Sequence, residues 1–543
     1  MKNAIKNGQA RLLGIGKDAR LKDWSRIFDV RDPAGCKAQL IIPMGASEAA
    51  LITNLQLPLG RTARKQVLDS FMPKDPALFD IVSTPGWLNP GTFVTPCRTY
   101  SSNGSKPIID QSALMLGHRF GRAGKLTDWQ NRVAKPSYGN NLAMFALMAA
   151  FGGPLMRSAG LDTAGFHLVG PSSIGKTSVL VAAGSIWGGG GTIGFSRTWL
   201  ATRNAIDQVA ASHNETFLLL DEASLAGETP RDAARTILHA GYRLTGGEEK
   251  ARRTDRHVRF SWRLLYMGST EHSQDQLATI CGHPLAAGQL VRLVDVAADA
   301  GCGMGVLEEL HDPTTSPSRF SDKLRDAALQ CYGTAGHAFL EQLVEWTHAD
   351  PEAAAVYIER RMNFYLRHVN ANAWGGPVAR VARLFAFVYA SGRLANKFGV
   401  LPWPWKDMLG AVSTVHQRIL LPANAIALRT PKSSIDAVAG YITTNRDRFV
   451  DLTKRTSMTA AELQSAYGIL YPTGSGSKEF LFANERFRNA VCAGLPADEV
   501  LSHLAAANFL RVQKGGKRTV TRDFPKPLGK ARVISIKAAI VNQ

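Results

Sequence analysis

"FHLVGPSSIGKTSVL", Phe166 to Leu180, contains a complete G-x-x-x-x-G-K-[ST] pattern between Gly170 and Thr177. The residues around it suit a strand-loop-helix unit: "GFHLV" is apolar enough for a buried strand, and "SVLVAAGSIWG" reads as a helix. Gly170 and Gly175 permit tight turns at the two ends of the loop. Backbone N–H groups and the N-terminus of the helix would then face anionic oxygens. Lys176 is long enough to reach the β and γ phosphates of a nucleotide, and the Thr177 hydroxyl is a magnesium ligand in that setting. Gly170, Pro171, Ser172, Ser173, Ile174, Gly175, Lys176, Thr177 and Ser178 form the expected nucleotide-binding set. The alternative is a Gly-rich turn whose lysine is merely solvated.

Downstream, "ETFLLLDEAS" places four apolar residues, Phe217 to Leu220, before Asp221 and Glu222. The apolar run predicts a buried central strand. Two carboxylates at its end would be costly if buried and unpaired. A magnesium ion shared with Thr177 gives Asp221 a partner, and Glu222 is positioned to polarise an attacking water as a general base. The competing reading is a cap for the next helix. A third strand, "WRLLYMGSTE", ends in Ser269 and Thr270, either of which can hold water or the γ phosphate, or cap a helix.

Between these strands lies "TGGEEKARRTDRHVRFSW", Thr245 to Trp262, carrying Lys250, Arg252, Arg253, Arg256 and Arg259. Gly246 and Gly247 allow a turn, and a protruding basic hairpin can grip a phosphate backbone. Glu248, Glu249 and Asp255 leave a balanced, solvated loop open as the alternative.

The bulk properties agree with a nucleic-acid partner. The 543 residues hold 64 basic and 44 acidic side chains, a formal net charge of +20, which favours polyanions. Apolar content of 45% predicts a folded chain, and the length predicts two to four domains. Six scattered cysteines without a CxxC pair indicate neither a zinc site nor a disulfide scaffold, which fits a cytoplasmic protein. The start, "MKNAIKNGQARLLGIG", has no signal-peptide core. "LAMFALMAAFGGPLM", Leu142 to Met156, is too short for a comfortable membrane span and predicts a buried helix. No membrane association is expected.

Taken together, "GFHLVGPSSIGKTSVLVAAGSIWG", "WLATRNAIDQVAASHNETFLLLDEASLA", "SWRLLYMGSTEHS", "AGQLVRLVDVAADAGCGMGVLEELH", "YGTAGHAFLEQLV" and "RVARLFAFVYASGRLA" resemble the bacterial and phage "domain of unknown function 927" family over roughly residues 80 to 425. The resemblance implies a ring-forming P-loop ATPase of mobile elements, related to AAA+ helicases. ATP, magnesium and single-stranded DNA in the central channel of a homo-hexamer follow as its expected cofactors and partner. It places Ser269 or Thr270 at the sensor-1 position and Arg292 of "GQLVRLVD" as an arginine finger for a neighbouring subunit. Arg380 or Arg383 of "RVARLFAF" takes a sensor-2 role, and the basic hairpin becomes the channel hairpin. Read from the residues alone, Arg292 lies between apolar neighbours and a snorkelling side chain competes with the finger. "GPSS" departs from the family's usual "GGSS" or "GDSS" opening, and the absence of a zinc-ribbon cysteine set leaves primer synthesis unsupported.

Near the C-terminus, "ADEVLSHLAAANFL" has helical spacing and precedes "RVQKGGKRTVTRDF", where Gly515 and Gly516 can turn between two strands. The order resembles a winged helix, with Lys514, Lys517 and Arg518 at the wing tip for phosphate contact; a packing module with a solvated turn is the alternative. The expected architecture is thus α/β: a mixed N-terminal domain (1–125), a P-loop, AAA+-like ATPase core (126–310), a helical lid (311–450) and a winged-helix-like module (451–543).

Overall fold

The computed structural model describes residues 10–18, 24–31, 37–55, 68, 71, 75–110, 117–191, 194–199, 203–221, 227–248, 260–282, 292–369, 371, 376–420, 431–473, 478–492, 497–513 and 517–542. It divides into two compact units: Met1–Val369 with Arg383–Leu420, and Asn370–Ala382 with Leu421–Gln543.

The first unit is built on a five-stranded parallel sheet. Its order is Arg197–Thr198, Phe217–Asp221, Leu265–Thr270, Ala164–Val169, Leu293–Ala297. Parallel strands need crossovers, and helices supply them on both faces. Phe217 to Leu220 are fully buried, as a strand covered on both sides requires. Leu218 and Leu220 face a cluster with Ile206, Ile237, Leu244 and Leu277 from the helices Arg203–Ser212, Pro230–Gly246 and Gln274–Cys281. On the other face, Phe166 meets Phe145 of helix Asn141–Ala150 at 5.0 Å between ring centroids and Phe385 at 5.3 Å. The apolar run at Leu142 is therefore a buried helix; among the described residues no helix is long and apolar enough to cross a membrane.

Two further sheets precede this core. One has five strands, ordered Lys37–Pro43, Trp24–Arg31, Ala10–Asp18, Leu78–Val82, Ile108–Ile109. The other is a three-stranded meander, Gly86–Asn89, Thr92–Thr95 and Arg98–Ser101. The meander is tied to the core by Glu215, whose buried carboxylate accepts the Trp87 N–H at 2.7 Å and the Arg157 Nε–H at 2.7 Å. Gly86 has φ +117°, and a Cβ there would lie 2.3 Å from a Glu215 oxygen, so only glycine fits this junction. After the core come five helices, Pro317–Gln330, Thr334–Ala349, Ala353–His368, Gly376–Lys397 and Trp405–Gln417, matching the helical reading of this region.

The second unit carries a sheet ordered Val450–Asp451, Ile469–Pro472, Lys478–Phe482, Lys530–Lys537, Val520–Asp523. Alternation decides its layers: Phe480 and Phe482 pack with Val438 and Leu504 of helices Pro431–Thr444 and Ala497–Ala506, while Leu481 packs with Leu463 and Val533. Because helix Pro431–Thr444 joins this core, the compact unit begins before residue 451. Its regular hairpin is Val520–Asp523 with Lys530–Lys537, and Gln513 N–H donates to Lys517 O at 3.0 Å on either side of the expected Gly515–Gly516 turn. Residues 514–516 lie outside the described residues.

Glu479 is almost fully buried in this sheet. It accepts from Arg511 Nε at 2.7 Å, from Ser535 Oγ at 2.7 Å and from Arg522. Burial pushes the carboxyl up, but these hydrogen bonds outweigh it and hold its pKa below the ordinary 4.5. A depressed carboxyl pKa contributes stability that is complete above the unfolded-state value, near 4.5. That contribution is lost as pH falls through the lower folded value. Glu479→Gln is expected to lower the stability of this unit by about 2 kcal/mol at pH 7, and the gap to the wild type should close below pH 4.5. Hydrogen exchange of peptides spanning Lys478–Phe482, corrected for intrinsic rates, measures this; a gap that persists at low pH removes the ionic explanation.

Candidate nucleotide-binding cleft

The loop from Gly170 to Lys176 leaves strand Ala164–Val169 and enters helix Lys176–Gly184. Gly175 caps this helix at φ +100°, in the left-handed region, and a Cβ on it would stand 2.8 Å from Val306 Cγ2. Ser173 also has positive φ, 63°. The loop is braced from outside: Val306 N–H donates to Ile174 O at 3.0 Å, and Gly305 approaches so closely that a Cβ there would lie 2.4 Å from that same oxygen. Lys176 is buried and curls back over the loop, its Nζ donating to Gly170 O at 2.7 Å and Pro171 O at 2.6 Å. Burial lowers its pKa, against the opposing charges of Glu271 and Asp221.

Strand order brings the acid to the loop. Leu265–Thr270 is inserted between the loop strand and Phe217–Asp221, so its polar end stands between Lys176's loop and Asp221. Ser269 Oγ donates a short hydrogen bond to Asp221 Oδ1. Thr270 is engaged elsewhere, with Oγ1 donating to His272 O at 2.8 Å and accepting from His272 N–H at 3.1 Å. Of the two residues, Ser269 is the one coupled to the acid, while Thr270 shapes its own turn.

These groups line one cleft of about 660 Å³. Ser172, Ser173, Ile174, Gly175, Lys176, Thr177 and Ser178 form one wall, with Asp221, Ser269 and Thr270 beside them. Gly170 and Pro171 contribute their carbonyls to Lys176. The rest of the lining was not legible from motifs. It comprises Glu271, which accepts from Ser172 Oγ at 2.6 Å, the Gly303–Met304–Gly305 loop, and Ser318, Ser321, Asp322 and Arg325 of helix Pro317–Gln330. The glycine-rich "GCGMG" was a visible signal for the loop. Arg325, 3.2 Å from Asp322, sits in an amphipathic helix with no distinguishing pattern.

Other expected residues fall elsewhere. Arg292 immediately precedes strand Leu293–Ala297, which is parallel to the loop strand. It therefore sits at the opposite end of the strands from Lys176, where its exposed guanidinium donates to Thr245 O at 3.3 Å. Arg383 is exposed and does not line the cleft, and Arg380, also exposed, falls in the second unit. The base of the basic segment is paired as a hairpin would be: Glu248 bridges Ser261, and Trp262 N–H donates to Gly247 O at 2.8 Å. Lys250, Arg252, Arg253, Arg256, Glu222 and Lys514 lie outside the described residues. Lys517 is exposed, and Arg518 donates to Asp498 O at 2.6 Å.

A family model described as "Domain of unknown function (DUF927)" matches residues 17–257, a span that takes in most of the N-terminal sheets, the loop and Asp221. No curated protein matches the chain. Among solved structures, one described as "SCCmec type IV Cch - active helicase" is similar at 14% identity and a TM-score of 0.57. The similarity covers 98% of this chain and 95% of that one. The chain therefore carries a DUF927 match over residues 17–257 within a mixed α/β fold similar to that of this helicase structure.

Proposed function

We propose that the protein is a ring-forming, DNA-stimulated ATPase with a P-loop, AAA+-like core, acting as a helicase or DNA translocase. The observation that carries this reading is the convergence of Lys176, Thr177, Asp221 and Ser269 on one cleft at the loop end of the central sheet. The fold shared with a helicase supports the direction of the assignment.

The loop N–H groups and the N-terminus of helix Lys176–Gly184 bind the phosphates. Lys176 leaves its two carbonyl partners to meet the γ phosphate and stabilises the charge that spreads over its oxygens. The donor set suits magnesium: an exposed hydroxyl at Thr177 and a carboxylate at Asp221, with remaining ligands from phosphate and water. Held there, such an ion would supply charge neutralisation to the transferring phosphoryl group. Ser269 holds Asp221 in place. Glu222, next in the chain, takes the proton of the attacking water. Arg292, remote from its own cleft, serves a neighbouring copy in a ring, a hexamer. Lys250, Arg252, Arg253 and Arg256 carry the moving contact to single-stranded DNA.

Steady-state ATP hydrolysis at fixed low salt, with and without single-stranded DNA, tests the proposal. Stimulation of about tenfold or more is the expected result. Hydrolysis indifferent to DNA would move the assignment to an ATPase acting on a protein partner.

A further inference from the structure

The helices after the core carry a surface of cations and aromatic rings that the cleft does not use. Lys397 Nζ stands 3.9 Å from the centroid of the Trp346 ring and 5.2 Å from that of Tyr357. Arg361 lies over the same Tyr357 ring at 5.1 Å, and Arg393 lies over Trp405 at 5.6 Å. The pieces are connected: Tyr357 Oη donates to Arg393 O at 3.1 Å, and Arg393 Nη1 donates to Tyr389 Oη at 3.4 Å. One continuous patch therefore draws on helices Thr334–Ala349, Ala353–His368, Gly376–Lys397 and Trp405–Gln417.

Two features separate this patch from ordinary surface charge. Among the described residues, none of Arg361, Arg393 and Lys397 forms an ion pair. The Nε atoms of Arg361 and Arg393 are also buried without a hydrogen-bond partner. Those Nε atoms are enclosed and out of reach of a ligand; it is the outer N–H groups of a guanidinium held flat on a ring that can meet an anionic acceptor. Repeated cations at close spacing, interleaved with aromatic rings, match a polyanion bearing flat bases. Exposed Arg360 and Lys406 extend the charge in sequence, against exposed Glu345, Glu359 and Asp407.

We propose that this patch binds the phosphate backbone of single-stranded DNA, as a contact separate from the basic hairpin. The identity of the ligand rests on the proposed DNA-directed function; the site itself rests on the unpaired cations.

The test is fluorescence anisotropy of a labelled oligothymidine with the full chain across a salt series. For a single strand, each phosphate that a cation no longer neutralises lowers the slope of log K against log salt by about 0.7. Arg361→Gln/Arg393→Gln/Lys397→Gln is expected to reduce the slope by about 2, to weaken binding at least tenfold at low salt, and to leave DNA-independent ATP hydrolysis unchanged. Arg393→Lys/Lys397→Arg, which keeps the charge, should retain most of the slope and guards against misfolding of the triple variant. An unchanged slope in a triple variant with normal basal hydrolysis overturns the patch alone. Absence of oligothymidine binding by the wild type overturns the DNA-directed function and this proposal with it.

Discussion

Lys176→Ala is expected to lower kcat for the proposed ATP hydrolysis by about 10²–10³-fold, the loss expected when one preorganised charge is removed from a transferring phosphoryl group. The structure gives the reason for expecting a catalytic defect more than a folding one. The lysine's structural partners are two loop carbonyls, Gly170 O and Pro171 O. The loop is held independently by the left-handed Gly175 and by Val306 N–H on Ile174 O. Thermal unfolding of the variant should remain close to the wild type. A fluorescent ATP analogue should still bind, more weakly, through the loop N–H groups. Hydrolysis that persists at the wild-type rate in a clean preparation would show that the cleft is not the reaction site.

The second large effect is at Asp221. Asp221→Asn is nearly isosteric, and its amide oxygen can still accept from Ser269 Oγ in place of the carboxylate oxygen that does so now. What disappears is a negative charge in a position only 6% exposed. Hydrolysis is expected to fall by about two orders of magnitude, as for loss of a charge that acts in the transition state, with the magnesium requirement moved to higher concentration. Stability should hold or rise, because a neutral amide costs less to bury than a carboxylate. A magnesium titration of hydrolysis paired with a melting curve reads both. A variant that melts early while keeping its magnesium midpoint would make Asp221 a structural residue and remove it from the metal-binding assignment.

The local pattern around Phe166 was strong because it combined two signals that short sequences carry well. An apolar run is read as a strand by its continuity, and a glycine–lysine–threonine spacing needs no knowledge of distant residues. The same holds for Phe217 to Asp221, whose burial on both faces demands apolar residues at every position. The choice between Ser269 and Thr270 could not be made this way. Adjacent residues of a strand point to opposite faces, and only the position of the neighbouring strand determines which face meets Asp221. Glu271 and Arg325 were missed for a related reason. Each looks like a solvated charge on its own element, and their place in the cleft comes from how separate elements pack. The C-terminal module adds a ladder that the glycine signal did not point to: Gln513 N–H donates to Lys517 O on either side of Gly515–Gly516, while the regular hairpin forms around Phe524–Gly529, where Val520 and Val533 can share a core.

By itself the sequence determined the phosphate-loop pattern, the apolar strands that flank it, the buried helix at Leu142 and the mostly helical character of residues 320 to 425. All of these follow from short-range periodicity and from the backbone freedom of particular residues. Only the tertiary structure decided the strand order that sets Ser269 beside Asp221, the rest of the cleft lining, the separation of Arg292 from its own loop, and the unpaired cations stacked on Trp346, Tyr357 and Trp405. Those arrangements depend on contacts between residues far apart in the chain, and pairing energies between distant groups leave no periodic trace in the sequence that encodes them.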